Sequence, residues 1–378
     1  MRLLLLTANI SEESKEIARA ITGYMSERYP DVVFRTLDVV KMVDGFKGVL
    51  LNKGYSLLCR NMNRISNKIY KKQLLSENKN YEKTLMFKLT KGAESELLKK
   101  IEMFEPSVVL CTHSLPSSMV CHIKSYSKEL FEKVKIVSVV HNYNVPVNAR
   151  FFKTSDYIIT PNDLLSSKFI HFGINMNQNI IDFGVPTNEK FEKSVEKTKA
   201  CNVLKIKDDL FNVVCYVPNY SVKEGVALIK NLCKAKNQIM VSVVCVKNQN
   251  LRYRLSQFVK RHKLENVRIY GITNNLDLIL SACDVCICHP QGLIVAECAN
   301  KCVPIVATPK LVFEEVENVK VLQKENAVLM VNNFKLIDET VDEFIENPSL
   351  LDSAKENILK FSKPNATKDL CKFLHSEF

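Results

Sequence analysis

The sequence predicts an α/β protein made of two doubly wound parallel sheets in tandem. Short apolar runs able to fill buried strands alternate with helix-forming stretches, and the alternation occurs twice along the chain. A segment punctuated by Gly and Pro, Phe183-Gly-Val-Pro-Thr-Asn188, separates the two series. At 378 residues the chain is long enough for two domains, each burying its own core without a metal or disulfide staple.

The first series opens with an apolar run over residues 3–7, too short for the apolar region of a secretory signal and followed by Glu12 and Glu13. Runs over 32–37, 107–112, 136–140 and 157–160 continue it. The second series comprises 212–217, 239–246, 267–270, 284–288, 304–307 and 328–331. These place a first domain at 1–186 and a second at 187–350, joined by a charged connector over 189–199. The helical tail over 351–378 reads as crossing back onto the first domain.

Thirteen cysteines, several of them in or beside apolar strands and helices, read as small buried hydrophobes in a reducing compartment. No window reaches a membrane-spanning length. The formal charge of +12 favours an anionic partner, whether nucleotide, nucleic acid or acidic lipid.

The most informative stretch runs from Ala282 to Glu297, where a short apolar strand, the turn Pro290-Gln-Gly292 and a helix start follow one another. Amides at such a helix start can face a diphosphate, and Glu297 can accept hydrogen bonds from a ribose diol. A strand-turn-helix that binds nothing explains the same letters, and spacing alone leaves both readings open. Cys283, Cys286, Cys288 and His289 invite a zinc reading, but a strand sends alternate side chains to opposite faces, so no metal site is predicted. Walker, G-x-S-x-G and G-x-G-x-x-G motifs are absent, and Asp208 and Asp209 have no second carboxylate cluster for hydrolysis.

One segment breaks the rhythm. From Gly45 to Lys72 there is no acidic residue, while Lys53, Arg60, Arg64, Lys68, Lys71 and Lys72 alternate with apolar side chains. Such a stretch suits an anionic lipid interface, yet an ordinary solvated helix face has the same composition. RNA binding is a third reading, weakened because no aromatic stacking motif accompanies the charge.

Several motifs together resemble a known family. Leu4-Leu-Leu-Thr-Ala-Asn9, Cys111-Thr-His-Ser-Leu-Pro116, Gly184-Val-Pro186, and Leu276 to Asp284 leading to Pro290-Gln-Gly292, Glu297, Val303-Pro304 and Glu315 to Asn318 fall in order along nearly the whole chain. In these the chain resembles the monogalactosyldiacylglycerol synthase and processive diacylglycerol glucosyltransferase family, GT-B enzymes related to the N-acetylglucosamine transferase of the lipid II pathway. The resemblance implies two Rossmann-like domains facing across a cleft. It also implies a nucleotide sugar, usually UDP-linked, on the C-terminal domain and a lipid acceptor on the N-terminal one. It implies donor contacts at Asn219, Gln291, Gly292, Glu297, Glu314, Glu315 and Asn318, acceptor-side contacts at Ser14 and Asn142, and membrane docking through the basic segment.

Departures cluster at the chemistry. Ser11-Glu-Glu-Ser14 stands where the family has a Gly-rich loop ending in His, with Ser14 in the place of that His. His141-Asn142-Tyr143 replaces Thr-Asp-aromatic, so a carboxylate has become an amide. Val217-Pro-Asn-Tyr-Ser221 replaces a second Gly-rich loop, Gln291 the first Gly of a Pro-Gly-Gly turn, and Phe313-Glu-Glu315 a Gly-Gln-Glu. The remaining candidates for a catalytic base are His113, just past a strand's carboxyl end where ligands of α/β sheets gather, then Glu12 and Glu13, and behind them His141. The expected activity is hexose transfer to a lipid such as diacylglycerol, with no cofactor beyond the donor, no nucleic acid partner, and a cytoplasmic location at the inner face of the membrane. The rival expectation is an inactive relative that binds a nucleotide sugar or a lipid without turnover.

Overall fold

The computed structural model describes residues 1–10, 12–51, 67–68, 80–165, 168–169, 174 and 179–378, which form two compact units, 1–189 with 363–378, and 190–362. Ser11 and five of the expected docking residues, Lys53, Arg60, Arg64, Lys71 and Lys72, lie outside the described residues, whereas Lys68 is described and exposed.

The first unit is a parallel sheet of β1 (Arg2–Thr7), β2 (Val33–Asp38), β3 (Val108–Cys111), β4 (Lys135–Val139), β5 (Tyr157–Ile159) and β6 (Asn179–Ile181), in the order β2-β1-β3-β4-β5-β6. Burial on both faces explains the unbroken leucine run of β1: Leu3 to Leu6 are fully buried, each contributing about 2 kcal/mol of apolar transfer. The chain leaves β1 through the helix Glu12–Arg28, which carries acids in its first turn and Arg28 in its last, matching its dipole. The helix Leu85–Phe104 starts at Thr84, whose hydroxyl accepts from Phe87 N, and ends at Glu105 in the left-handed region. Because β2 and β3 flank β1 on opposite sides, the sheet reverses its strand order between β1 and β3. Ligands of open α/β sheets gather beyond the carboxyl ends of the strands at such a reversal.

The second unit repeats the plan with β7 (Phe211–Tyr216), β8 (Ile239–Val244), β9 (Val267–Tyr270), β10 (Val285–Cys288), β11 (Ile305–Ala307) and β12 (Val328–Met330), ordered β12-β11-β10-β7-β8-β9. Its reversal lies between β7 and β10. Ser221 and Glu224 form a reciprocal capping box at the start of the helix Val222–Leu232, a signature legible as Ser-x-x-Glu.

The tail differs in extent from the sequence reading. The helix Pro348–Leu359 stays with the second unit, which runs to Ser362 rather than 350, and the unit boundary falls after Glu189 rather than at 186. Only 363–378 joins the first unit. There the helix Ala366–Glu377 buries Leu370, Cys371 and Leu374 completely, and Thr367 Oγ1 donates to Thr187 O at 2.6 Å. The returning chain passes hard against Gly184, whose φ is +101° and whose missing Cβ would lie 2.4 Å from Lys363 Cβ. Gly184→Ala therefore meets both backbone strain and a clash, and urea unfolding of the full chain should show a loss of about 1–3 kcal/mol.

Candidate functional site

In the second unit the loops after β7 and β10 meet at the strand-order reversal. The strand β10 ends in His289 and Pro290, and the helix Gly292–Asn300 follows with Gln291 as its cap residue. Val295 N, bonding Gln291 O, shows where the helical ladder begins; amides ahead of it have no partner within the helix and form its positive end. Glu297 is buried about one and a half turns on.

Glu315 braces this turn. From the first turn of the helix Phe313–Lys324, its Oε1 accepts from Gln291 Nε2 at 3.2 Å. Its Oε2 accepts from Val312 N at 2.8 Å and lies 3.6 Å from His289 Nδ1. Asn318, fully buried one turn later, donates to Pro290 O at 2.9 Å. Both side chains, expected on the donor sugar, are thus turned inward to hold the loop, because rigid side-chain bonds take over where the glycines are missing. Gln291 is likewise drawn toward Glu315. Of the remaining expected set, Glu314 and Asn219 are partly exposed.

Two residues that sequence reasoning missed complete the wall. The Tyr220 ring stacks on His289 with centroids 4.3 Å apart, and Tyr220 hydrogen-bonds Thr308 through its hydroxyl. His289 Nε2 contacts Pro309 O at 3.2 Å. Beside them Lys310 Nζ meets Glu224 Oε1 at 2.9 Å, which with the Ser221 cap holds that carboxyl below its ordinary range against the burial that would raise it. No local signal in the sequence pairs Glu224 with Lys310. Burial first, with Lys310 adding to it, pushes the His289 pKa down to about 4, so the ring is neutral at pH 7.

The first unit gathers its chemistry beyond β1, β3 and β4. Ser14, expected on the acceptor side, is fully buried; its Oγ accepts from Ala8 N at 3.2 Å and lies 2.8 Å from Thr112 Oγ1. It is a tie between the ends of β1 and β3, and no longer offers its hydroxyl to a ligand. Asn142 is partly buried in the loop after β4. His113, expected as the base, caps the helix Ser114–Tyr126, and its Nδ1 accepts from Leu115 N at 3.0 Å. The neutral ring therefore carries its proton on Nε2 and has no spare lone pair, which makes it a donor and unsuits it as a base. Desolvation, with His141 alongside at a ring separation of 6.1 Å, pushes its pKa down to about 3. His141 is itself 6% exposed, its pKa is pushed down to about 4 by burial, and its Nε2 lies 3.6 Å from Glu13 Oε2. Among the described residues no group of His, Cys, Asp and Glu has a geometry that could hold a metal ion.

Residues 14–187 match the family model of monogalactosyldiacylglycerol synthase. The processive diacylglycerol beta-glucosyltransferase of Bacillus pumilus is 21% identical, the match covering 98% of this chain and 94% of that relative. The enzyme of the same name from Bacillus mycoides is 18% identical, over 96% and 90% of the two chains. Over these lengths the chain is similar to this family, at low identity. Its fold is GT-B: Acinetobacter baumannii MurG superposes with a TM-score of 0.61 at 13% identity over 99% of both chains. Anabaena HepE in complex with UDP does so at 0.58 and 14% identity over 100% of both.

Neutral buried imidazoles have a measurable consequence. For His289 the folded pKa of about 4 lies below the unfolded value of 6.5, so on acidification the unfolded chain takes up the proton first. Its contribution is complete above pH 6.5 and drains away toward pH 4, at most at about 1.4 kcal/mol per pH unit. Chemical denaturation across that window should show the stability gap between wild type and His289→Gln narrowing as the pH falls.

Proposed function

We propose that this protein transfers a hexose from a nucleotide sugar, UDP-linked in the simplest reading, to a lipid acceptor such as diacylglycerol. The observation that carries it is the helix start at Gly292 beyond the β7/β10 reversal, presenting amides in a loop braced by Glu315 and Asn318. A pyrophosphate fits the positive end of that helix, and the Glu297 carboxylate suits a ribose diol. Glu314 and Asn219 supply further polar groups for the donor, with Gln291 at the cap. His113, donating through Nε2, serves the acceptor side beside Asn142. The named substrates of the near-full-length relatives, a diacylglycerol and a glucosyl donor, support the substrate classes. They also leave the rival reading of a binding module without turnover unfavoured.

The same reading includes docking on an anionic leaflet. Among the described residues no helix is long and apolar enough to cross a membrane. At the edge of the basic segment, Phe46 is 80%, Val49 51% and Leu50 45% exposed, beside the exposed Lys47. Apolar side chains that gain nothing in water gain burial in a lipid interface, with about 1 kcal/mol more for each nearby basic residue.

Transfer is tested with UDP-glucose and vesicles containing diacylglycerol and phosphatidylglycerol, followed by appearance of the glycolipid. Glycolipid is expected; UDP binding without product would reject the transferase reading. Glu297→Gln should weaken UDP binding by about tenfold in calorimetry, the loss of one charge-assisted interaction of about 1.4 kcal/mol. Phe46→Glu should cut flotation with the same vesicles severalfold while leaving UDP binding unchanged.

A further inference from the structure

We propose that Glu13 is the base that takes the proton of the acceptor hydroxyl, and that His141 is the positioning residue that holds its carboxylate. The assignment rests on the transferase reading above and deepens it. Glu13 comes from the first turn of the helix after β1, His113 from the cap after β3, and His141 from the loop after β4. These three segments converge at the strand-order reversal of the first unit, the place where the sheet exposes its chemistry.

The alternatives fall on geometry. His113 spends Nδ1 on Leu115 N, so it can only donate. Ser14 is sealed inside, and Asn142 is an amide with no basic lone pair. His141 presents Nε2 to Glu13 and keeps Nδ1 buried out of reach of solvent. Glu13 is the more open of the pair, with 14% of its side chain accessible against 7% for His141. A neutral His141, 3.6 Å from the carboxylate and bonded to the Thr112 backbone, faces Glu13 without adding charge, and Glu13 sits at the positive end of the Glu12–Arg28 helix. Among the described residues, Glu12 shares the first helical turn with Glu13, and His141 faces it from the loop after β4, with the His113 ring alongside His141.

In the transfer step the acceptor O–H bond breaks and its proton passes to the Glu13 carboxylate. The hydroxyl oxygen forms the new bond to the anomeric carbon, the bond from that carbon to the diphosphate oxygen breaks, and the electron pair leaves with the nucleoside diphosphate. The proton is then released to water. The assignment also explains why two departures from the family pattern occur together. The resemblance places an imidazole at Ser14 and a carboxylate at Asn142; this chain carries a carboxylate at Glu13 and an imidazole at His141, each one residue earlier. The two groups have changed places between the same two elements.

The test measures kcat, KM and the kcat–pH profile of the full chain with UDP-glucose and diacylglycerol vesicles, alongside the thermal shift given by UDP. For Glu13→Gln, kcat should fall by about 10²–10⁴, with the UDP thermal shift intact. Glu13→Asp, which keeps the carboxylate, should recover part of the rate, so a folding defect cannot imitate the result. His141→Leu should lose only about tenfold and move the acid limb of the profile upward, as a carboxylate that loses a polar neighbour becomes harder to ionise, whereas His141→Gln, which keeps an N–H donor, should move it less. A Glu13→Gln rate within threefold of wild type overturns the assignment of the base, and an unmoved acid limb in His141→Leu overturns the positioning role. If wild type binds UDP but never turns over, the transferase reading itself falls, an outcome distinct from an active Glu13→Gln.

Discussion

The chemistry of this chain depends on a constraint of parallel sheets. Where successive strands depart to opposite sides, the loops beyond their carboxyl ends separate and leave a crevice that the fold itself does not fill. The chain makes this reversal twice, between β1 and β3 and between β7 and β10. Among the described residues, the candidate donor and acceptor side chains lie in the loops or early helical turns near those two places. The sheets can be built from uninterrupted Leu, Val, Ile and Cys because both faces are covered, leaving the loops free to vary.

Variation there has been paid for in side chains. Gly-rich loops approach a phosphate because nothing but backbone is present, and they need no bracing from outside. In their place this chain has Val217-Pro-Asn-Tyr-Ser221 and His289-Pro-Gln291, whose bulk must be held away from the helix start. Stacking of Tyr220 on His289, the Tyr220–Thr308 hydrogen bond and the contacts of Glu315 to Gln291, Val312 and His289 do this. The loop is thereby fixed by a network in which Tyr220, His289, Thr308 and Glu315 are buried, and a partly satisfied network of that kind costs more than an apolar one. Glu315 and Asn318 resemble ligand residues in sequence and act as struts in space.

The strand runs and the turn at Pro290-Gln-Gly292 were legible in the sequence because each is encoded within a few residues. The tail was legible as helix, but its division between units was not: Ile358 packs in the second unit and Leu370 in the first, and nothing local distinguishes their apolar periodicity. Pairings across the sheet were harder still. Nothing near Glu13 names His141 as its neighbour, and nothing near Tyr220 names His289 or Thr308, since these contacts arise only when separate strands bring their loops together. His113 shows a related difficulty: its place after β3 was legible, but a backbone amide two residues away occupies the nitrogen that a base would need, which the sequence does not show.

Uncharged histidines unite the two reversals. His113, His141 and His289 all have their pKa pushed well below 6.5, chiefly by desolvation. A cationic ring beside Glu13 would stabilise that carboxylate against accepting a proton, and so oppose its use as a base. A neutral ring orients it and leaves its basicity nearly intact. At His289 the same neutrality leaves the positive end of the Gly292–Asn300 helix set by fixed backbone dipoles rather than by a group that titrates near neutral pH. Burial of the imidazoles, more than any single hydrogen bond, thus determines what each crevice can do.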